Sequence, residues 1–270
     1  MRRQCDKRVV YYDDEGNDDF FELGIKECAV DESFPYVRKN IFYRFFSFLL
    51  YYVVAIPLVW FFERVLLGVR FVNKKGIKKC RGYCFLYGNH TGWVDAFTPC
   101  LISLPRRNSV VVSADTVSIK GLKTVVQMLG AIPVPTTFRA IRKFNEAVDY
   151  SHSRSNVTVY PEAHIWPYFN GVRNFPDTSF EYPVRNGAPV IAFFTAYTKP
   201  KGLLSVFRKA NMTVYVSDPI YPDEGLVGAE ARRNLRDKVY EFMLDKSQYS
   251  DYSVIEYKRR SVVSTADKSR

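Results

Sequence analysis

"YGNHTGWVDAF", Tyr87 to Phe97, decides how this chain is read. It overlaps the end of the apolar run "CFLYG" and then turns polar, placing His90 five residues before Asp95. A short apolar run closed by glycine predicts a buried strand. The polar "NHTGWVD" then predicts the loop that leaves this strand toward a helix. Asn89 and Thr91 can cap the helix start, and Gly92 permits a tight turn. Open parallel sheets carry their sites at this end of the strands. A carboxylate one turn from an imidazole can fix its tautomer and leave the other ring nitrogen as a base. The same residues would also suit a capping loop whose histidine only satisfies a backbone carbonyl.

Working outward, short β-rich runs recur at "RFVNK", "YCFLYGN", "SVVVSAD", "AIPVP", "NVTVYPE", "PVIAFF" and "MTVYVSD". Segments of helical composition lie between several of them, at 115–129 and 138–152, and a last amphipathic stretch runs over 228–245. This alternation predicts an α/β fold, a mostly parallel sheet flanked by helices. The expected organisation is a polar N-terminal arm over 1–36, a membrane-associated helix over 37–66, an α/β domain over 67–246 and a polar, loose tail over 247–270.

The second segment rests on "FFSFLLYYVVAIPLVWFF", Phe45 to Phe62, which carries one serine and one proline. As a helix it would reach about 27 Å, close to the thickness of a bilayer's hydrocarbon core. Pro57 would kink it. Arg38, Lys39 and Arg44 precede the run, and Arg64, Arg70, Lys74, Lys75, Lys78, Lys79 and Arg81 follow it. Basic residues on both flanks suit either a span or a helix entering one leaflet.

Composition agrees with a large core and an anionic partner. Hydrophobic residues make up 47% of the chain, aromatics 16%, and the net charge is +11. That charge suits nucleic acid, an anionic membrane or a phosphorylated substrate. Scattered basic residues without a nucleic-acid motif argue against the first. The five cysteines lack C-x-x-C spacing and read as reduced thiols in a cytoplasmic setting. Three well-separated histidines give no metal-ligand cluster, so no metal and no cofactor are expected.

"NHTGWVD" resembles the Asn-His-x4-Asp block of the glycerolipid acyltransferases, the lysophosphatidate (1-acylglycerol-3-phosphate) acyltransferases and their relatives. Three further blocks are echoed in order: "GAIPVPT" from Gly130, "YPEAH" from Tyr160 and "APVIAF" from Ala188. The resemblance runs over about 39–218. It implies transfer of an acyl group from acyl-CoA or acyl-carrier protein to the hydroxyl of a lysophospholipid, at a membrane, with the site facing the cytoplasm. His90 is then the base and Asp95 its orienting carboxylate. Glu162 would hold the acceptor's glycerol phosphate. Asn89 and backbone amides near Gly130 are candidates for substrate contacts and for the developing oxyanion. Two departures affect the acceptor. Thr136 stands where the family has an arginine, and Ala163 and His164 replace Gly-Thr. Arg173 and, after it, Arg139 are the candidate substitutes for the missing guanidinium. The alternatives are an acyltransferase for a different acceptor, or a membrane lipid-binding protein that no longer catalyses.

Overall fold

Each apolar run forms a strand in the computed structural model, which describes residues 8–21, 28–201 and 208–260. A two-stranded sheet joins β1 (Arg8–Tyr12) to β9 (Ile255–Arg259). The main sheet holds β2 (Arg70–Val72), β3 (Phe85–Gly88), β4 (Asn108–Val112), β5 (Ala131–Pro133), β6 (Asn156–Val159), β7 (Val190–Thr198) and β8 (Asn211–Val216). Their order is β2-β8-β7-β3-β6-β4-β5. All neighbours are parallel except β7 and β8, which are antiparallel.

Alternation along the strands builds two cores. Phe85 and Tyr87 of β3 face one layer with Val157, Val159, Val190, Ala192 and Phe194. Leu86 faces the other layer with Ile191, Phe193 and Val214. A strand buried on both faces needs apolar residues at every position, which is why "FLYG" shows no polar alternation. Helices Ile141–His152 and Gly228–Ser247 cover the first face through Phe144, Val148, Leu235 and Val239.

The helix Ile41–Leu67 is long and apolar enough to cross a membrane, and it begins after a forty-residue arm rather than at the chain's start. Wider π-type turns over Leu49–Ala55 precede Pro57, whose missing N–H the helix tolerates without ending. One stripe is docked on the domain. Ser47 donates to the Met128 carbonyl at 2.6 Å, the Tyr51 hydroxyl accepts from the Asn108 amide at 3.0 Å, and Glu63 accepts from Thr98 Oγ1 at 2.9 Å. The opposite face is bare: Phe42 is 70% and Leu58 64% exposed.

The polar ends, expected as an extended arm and a loose tail, meet in the parallel β1–β9 pair. Trp166 organises this junction, with Tyr12 at 4.7 Å, Phe20 at 5.3 Å and Tyr257 at 4.8 Å between ring centroids. Each end is too polar to fold alone, and burial of these rings fixes both.

Candidate active site

Strand β3 ends at Gly88, and the next seven residues build the site. Gly88 is required by packing: a Cβ there would sit 2.2 Å from the Phe193 ring. Asn89 is fully buried and locks the loop to β7. Its Oδ1 accepts from the Thr195 amide at 2.8 Å and its Nδ2 donates to the Thr195 carbonyl at 3.2 Å. Thr91 Oγ1 and the Tyr197 hydroxyl are paired at 2.8 Å.

The turn is capped by Asp95 rather than by Asn89 or Thr91. Asp95 Oδ2 accepts from the Thr91 amide at 2.5 Å and the Gly92 amide at 2.8 Å, and lies 3.2 Å from His90 Nδ1. Two backbone donors fix the direction of the carboxylate and leave Oδ2 an acceptor toward the ring. Nδ1 carries the proton in that contact, so the open nitrogen is Nε2, which has no hydrogen-bond partner among the described residues. The imidazole is stacked on Tyr160, with centroids 4.4 Å apart, and 16% of its side chain is exposed. A base oriented by Asp95 and stacked on Tyr160, with one ring nitrogen unbonded, can take a proton from a bound hydroxyl.

Glu162, after β6, is joined to this loop. Its Oε2 accepts from the His90 amide at 3.2 Å, and from Arg173 Nε and Nη2 at 3.3 and 3.0 Å; its Oε1 accepts from the Arg173 amide at 3.2 Å. Both side chains of this ion pair are 1% exposed. Arg173 also donates to the His164 carbonyl and lies over the Trp166 ring at 5.1 Å. Burial pushes the Glu162 carboxyl up, and the Arg173 guanidinium opposes that push. Four donors converge on the Glu162 carboxylate, the His90 amide and the Arg173 amide, Nε and Nη2, and they favour the ionised pair.

The sequence therefore placed these residues at one end of the sheet without showing their roles. Arg173, expected on an acceptor phosphate, is an interior partner of Glu162. Asn89, expected near substrate, has both ends of its amide engaged. Gly130 requires a correction. It precedes β5 and so lies at the opposite end of the sheet from His90, its amide donated to the Gln127 carbonyl at 3.0 Å. It cannot supply an oxyanion donor there. Its φ of +105° and an Asn108 carbonyl 2.9 Å from the place of a Cβ explain the glycine. Thr136 is engaged by the arm: its Oγ1 accepts from the Val30 amide at 3.0 Å and its own amide donates to the Val30 carbonyl at 3.1 Å. Arg139 is exposed and has no ion-pair partner among the described residues. Ala163, which stands where the motif it resembles has glycine, adopts the left-handed conformation with φ of +63°. His164 Nδ1 reaches Asp19 Oδ2 at 3.4 Å.

Sequence reasoning missed Glu63, fully buried and hydrogen-bonded to Thr98 just beyond the Asp95 turn. Its only signal was a single acidic residue in an apolar helix. Among the described residues no group of three or more His, Cys, Asp or Glu side chains converges to hold a metal ion. The four described cysteines are unpaired thiols, and Cys5 lies outside the described residues.

No family model and no curated protein sequence match the chain. Among solved structures it is similar to the 1-acyl-sn-glycerophosphate (LPA) acyltransferase PlsC from Thermotoga maritima, at 19% identity and a TM-score of 0.52. The match covers 76% of this chain and 87% of that one. The chain thus shares that enzyme's fold, a mostly parallel sheet flanked by helices.

Proposed function

We propose that the protein is a membrane-bound O-acyltransferase that moves an acyl group from a thioester, acyl-CoA or acyl-carrier protein, to the hydroxyl of a lysophospholipid. The preferred acceptor is 1-acylglycerol-3-phosphate, which would give phosphatidate. One observation carries the reading: His90 is oriented by Asp95 at 3.2 Å, with Nε2 open, at the C-terminal end of a parallel sheet. The shared fold supports it.

The chemistry follows from that geometry. His90 Nε2 takes the acceptor hydroxyl's proton as the oxygen attacks the thioester carbonyl. Asp95 stabilises the imidazolium that forms. Collapse of the tetrahedral intermediate expels the thiolate, which takes the proton back from Nε2. Glu162 acts through the His90 amide as a positioning residue, leaving Arg139 as the cation better suited to an acceptor phosphate.

Membrane attachment is part of the same proposal. The apolar helix has hydrogen bonds to the domain near both ends, at Ser47 and Glu63, so a bare span would first have to break them. It is better suited to lie in one leaflet, with its exposed aromatic face in lipid and the site open to the cytoplasm.

The test is transfer of a labelled acyl chain by the purified protein to a panel of lysolipids in vesicles. His90→Ala should abolish transfer and retain vesicle binding. Asp95→Asn should leave a residue of turnover about 10⁴-fold down, since the base remains but is misdirected. Near-normal turnover by His90→Ala would disprove the base. Equal use of lysophosphatidate and uncharged monoacylglycerol would favour a different acceptor.

A further inference from the structure

The end of the sheet away from His90 holds a second feature. Strands β4, β5 and β6 run parallel to β3, and Arg107, Gly130 and Ser155 immediately precede their first residues. These residues therefore lie about one strand length, ~15 Å, from the catalytic loop. Between this edge and the start of the apolar helix is a cavity of about 1090 Å³. Arg38, Arg44, Arg107 and Arg154 line it, together with serine hydroxyls and the helix's aromatic side chains, and no carboxylate does.

The four guanidiniums have no ion-pair partner among the described residues, whose acid–base contacts lie elsewhere. Arg38 keeps a buried Nε without a hydrogen-bond partner. Arg107 donates to Ser47 Oγ at 2.9 Å and lies 4.7 Å from the Tyr51 ring centroid, and burial pulls its pKa below the ordinary value. Gln127, another lining residue, has an unpartnered Oε1 that a headgroup hydroxyl can satisfy. Cations without ion-pair partners, Arg38 and Arg107 half-buried and Arg44 and Arg154 exposed, stand beside a bare apolar helix face. The ligand that complements both is an anion covalently joined to hydrocarbon.

We propose that this cavity binds the phosphate headgroup of an anionic phospholipid, with the lipid's chains along Phe42, Phe45 and Phe46. The site is separate from the catalytic one and would anchor the protein on anionic membrane. It rests on the membrane-bound reading above.

The experiment measures partitioning of the full chain onto phosphatidylcholine vesicles with and without phosphatidylglycerol, at one ionic strength. Arg38→Gln/Arg154→Gln should lose about tenfold in affinity for the anionic vesicles and keep wild-type affinity for the neutral ones. Arg107→Gln, tested separately because it also packs on Tyr51, should lose affinity in the same direction. Lys199→Gln/Arg233→Gln removes the same charge at exposed positions outside the cavity and should change anionic binding less than about twofold. Inorganic phosphate in millimolar excess should not displace the vesicles. Equal losses in the cavity and control pairs would overturn the proposal, as would displacement by free phosphate. If wild type binds neither vesicle, the membrane reading fails with it. Wild-type binding unchanged in the cavity variants sinks the cavity alone.

Discussion

Replacing Arg173 with alanine tests whether this residue recognises substrate or holds the site together. Its guanidinium contacts Glu162 twice, at 3.0 and 3.3 Å, and both side chains are 1% exposed. Alanine would leave the Glu162 carboxylate buried and short of two charged donors. Breaking such a pair from one side costs about 3–5 kcal/mol. That is a large fraction of the roughly 5–15 kcal/mol by which domains are stable, and it predicts a fall in Tm of about 10 °C. Because Glu162 also accepts from the His90 amide, kcat should fall together with stability. Glu162→Gln/Arg173→Met removes both charges and should recover most of the lost stability, since no unpaired ion remains. Thermal unfolding and steady-state kinetics on wild type and the two variants provide the measurement. If Arg173→Ala unfolds at the wild-type temperature and raises only the KM for a phosphorylated acceptor, the interior pair is the wrong account.

Three further outcomes are expected. Gly88→Ala forces the Phe193 ring toward Tyr160, on which His90 is stacked, and should cost about 1–3 kcal/mol in denaturant unfolding together with a lower kcat. Ala163→Gly relieves a left-handed alanine and should stabilise the protein by up to about 1 kcal/mol, read as a higher urea midpoint. His152 is stacked on Phe85 at 4.4 Å, and burial pulls its pKa below 6.5. Its contribution to stability is therefore full above that value and declines as pH falls through it. His152→Phe should show a smaller loss of Tm on acidification below about pH 6.5 than wild type.

All seven strands of the main sheet were legible as β-branched and aromatic runs, and most plainly β3 and β7, which are buried along nearly their whole length and are apolar almost throughout. The His90–Asp95 contact was legible too, since five residues form one turn and its geometry is local. The helix after the loop, Thr98–Ser103, was announced by its turn residues, whereas Glu181–Asn186 was not legible, being six residues, too short for a periodic pattern to show.

The partners of the site lie far apart along the chain. Asn89 meets Thr195, 106 residues away, and the His90 amide meets Glu162, 72 residues away. Nothing in either neighbourhood names its partner, so an arginine destined for the interior reads in sequence like one on the surface. Gly130 shows the reverse. The sequence already placed it before its strand, and only the parallel alignment of β5 with β4 and β6 turned that order into the far end of the sheet. Local chemistry can be read from spacing because the backbone enforces it over one turn or one strand. The engagement of Glu162 by Arg173, of Thr136 by Val30 and of one tail by the other depends on burial. Burial is decided only when distant segments pack.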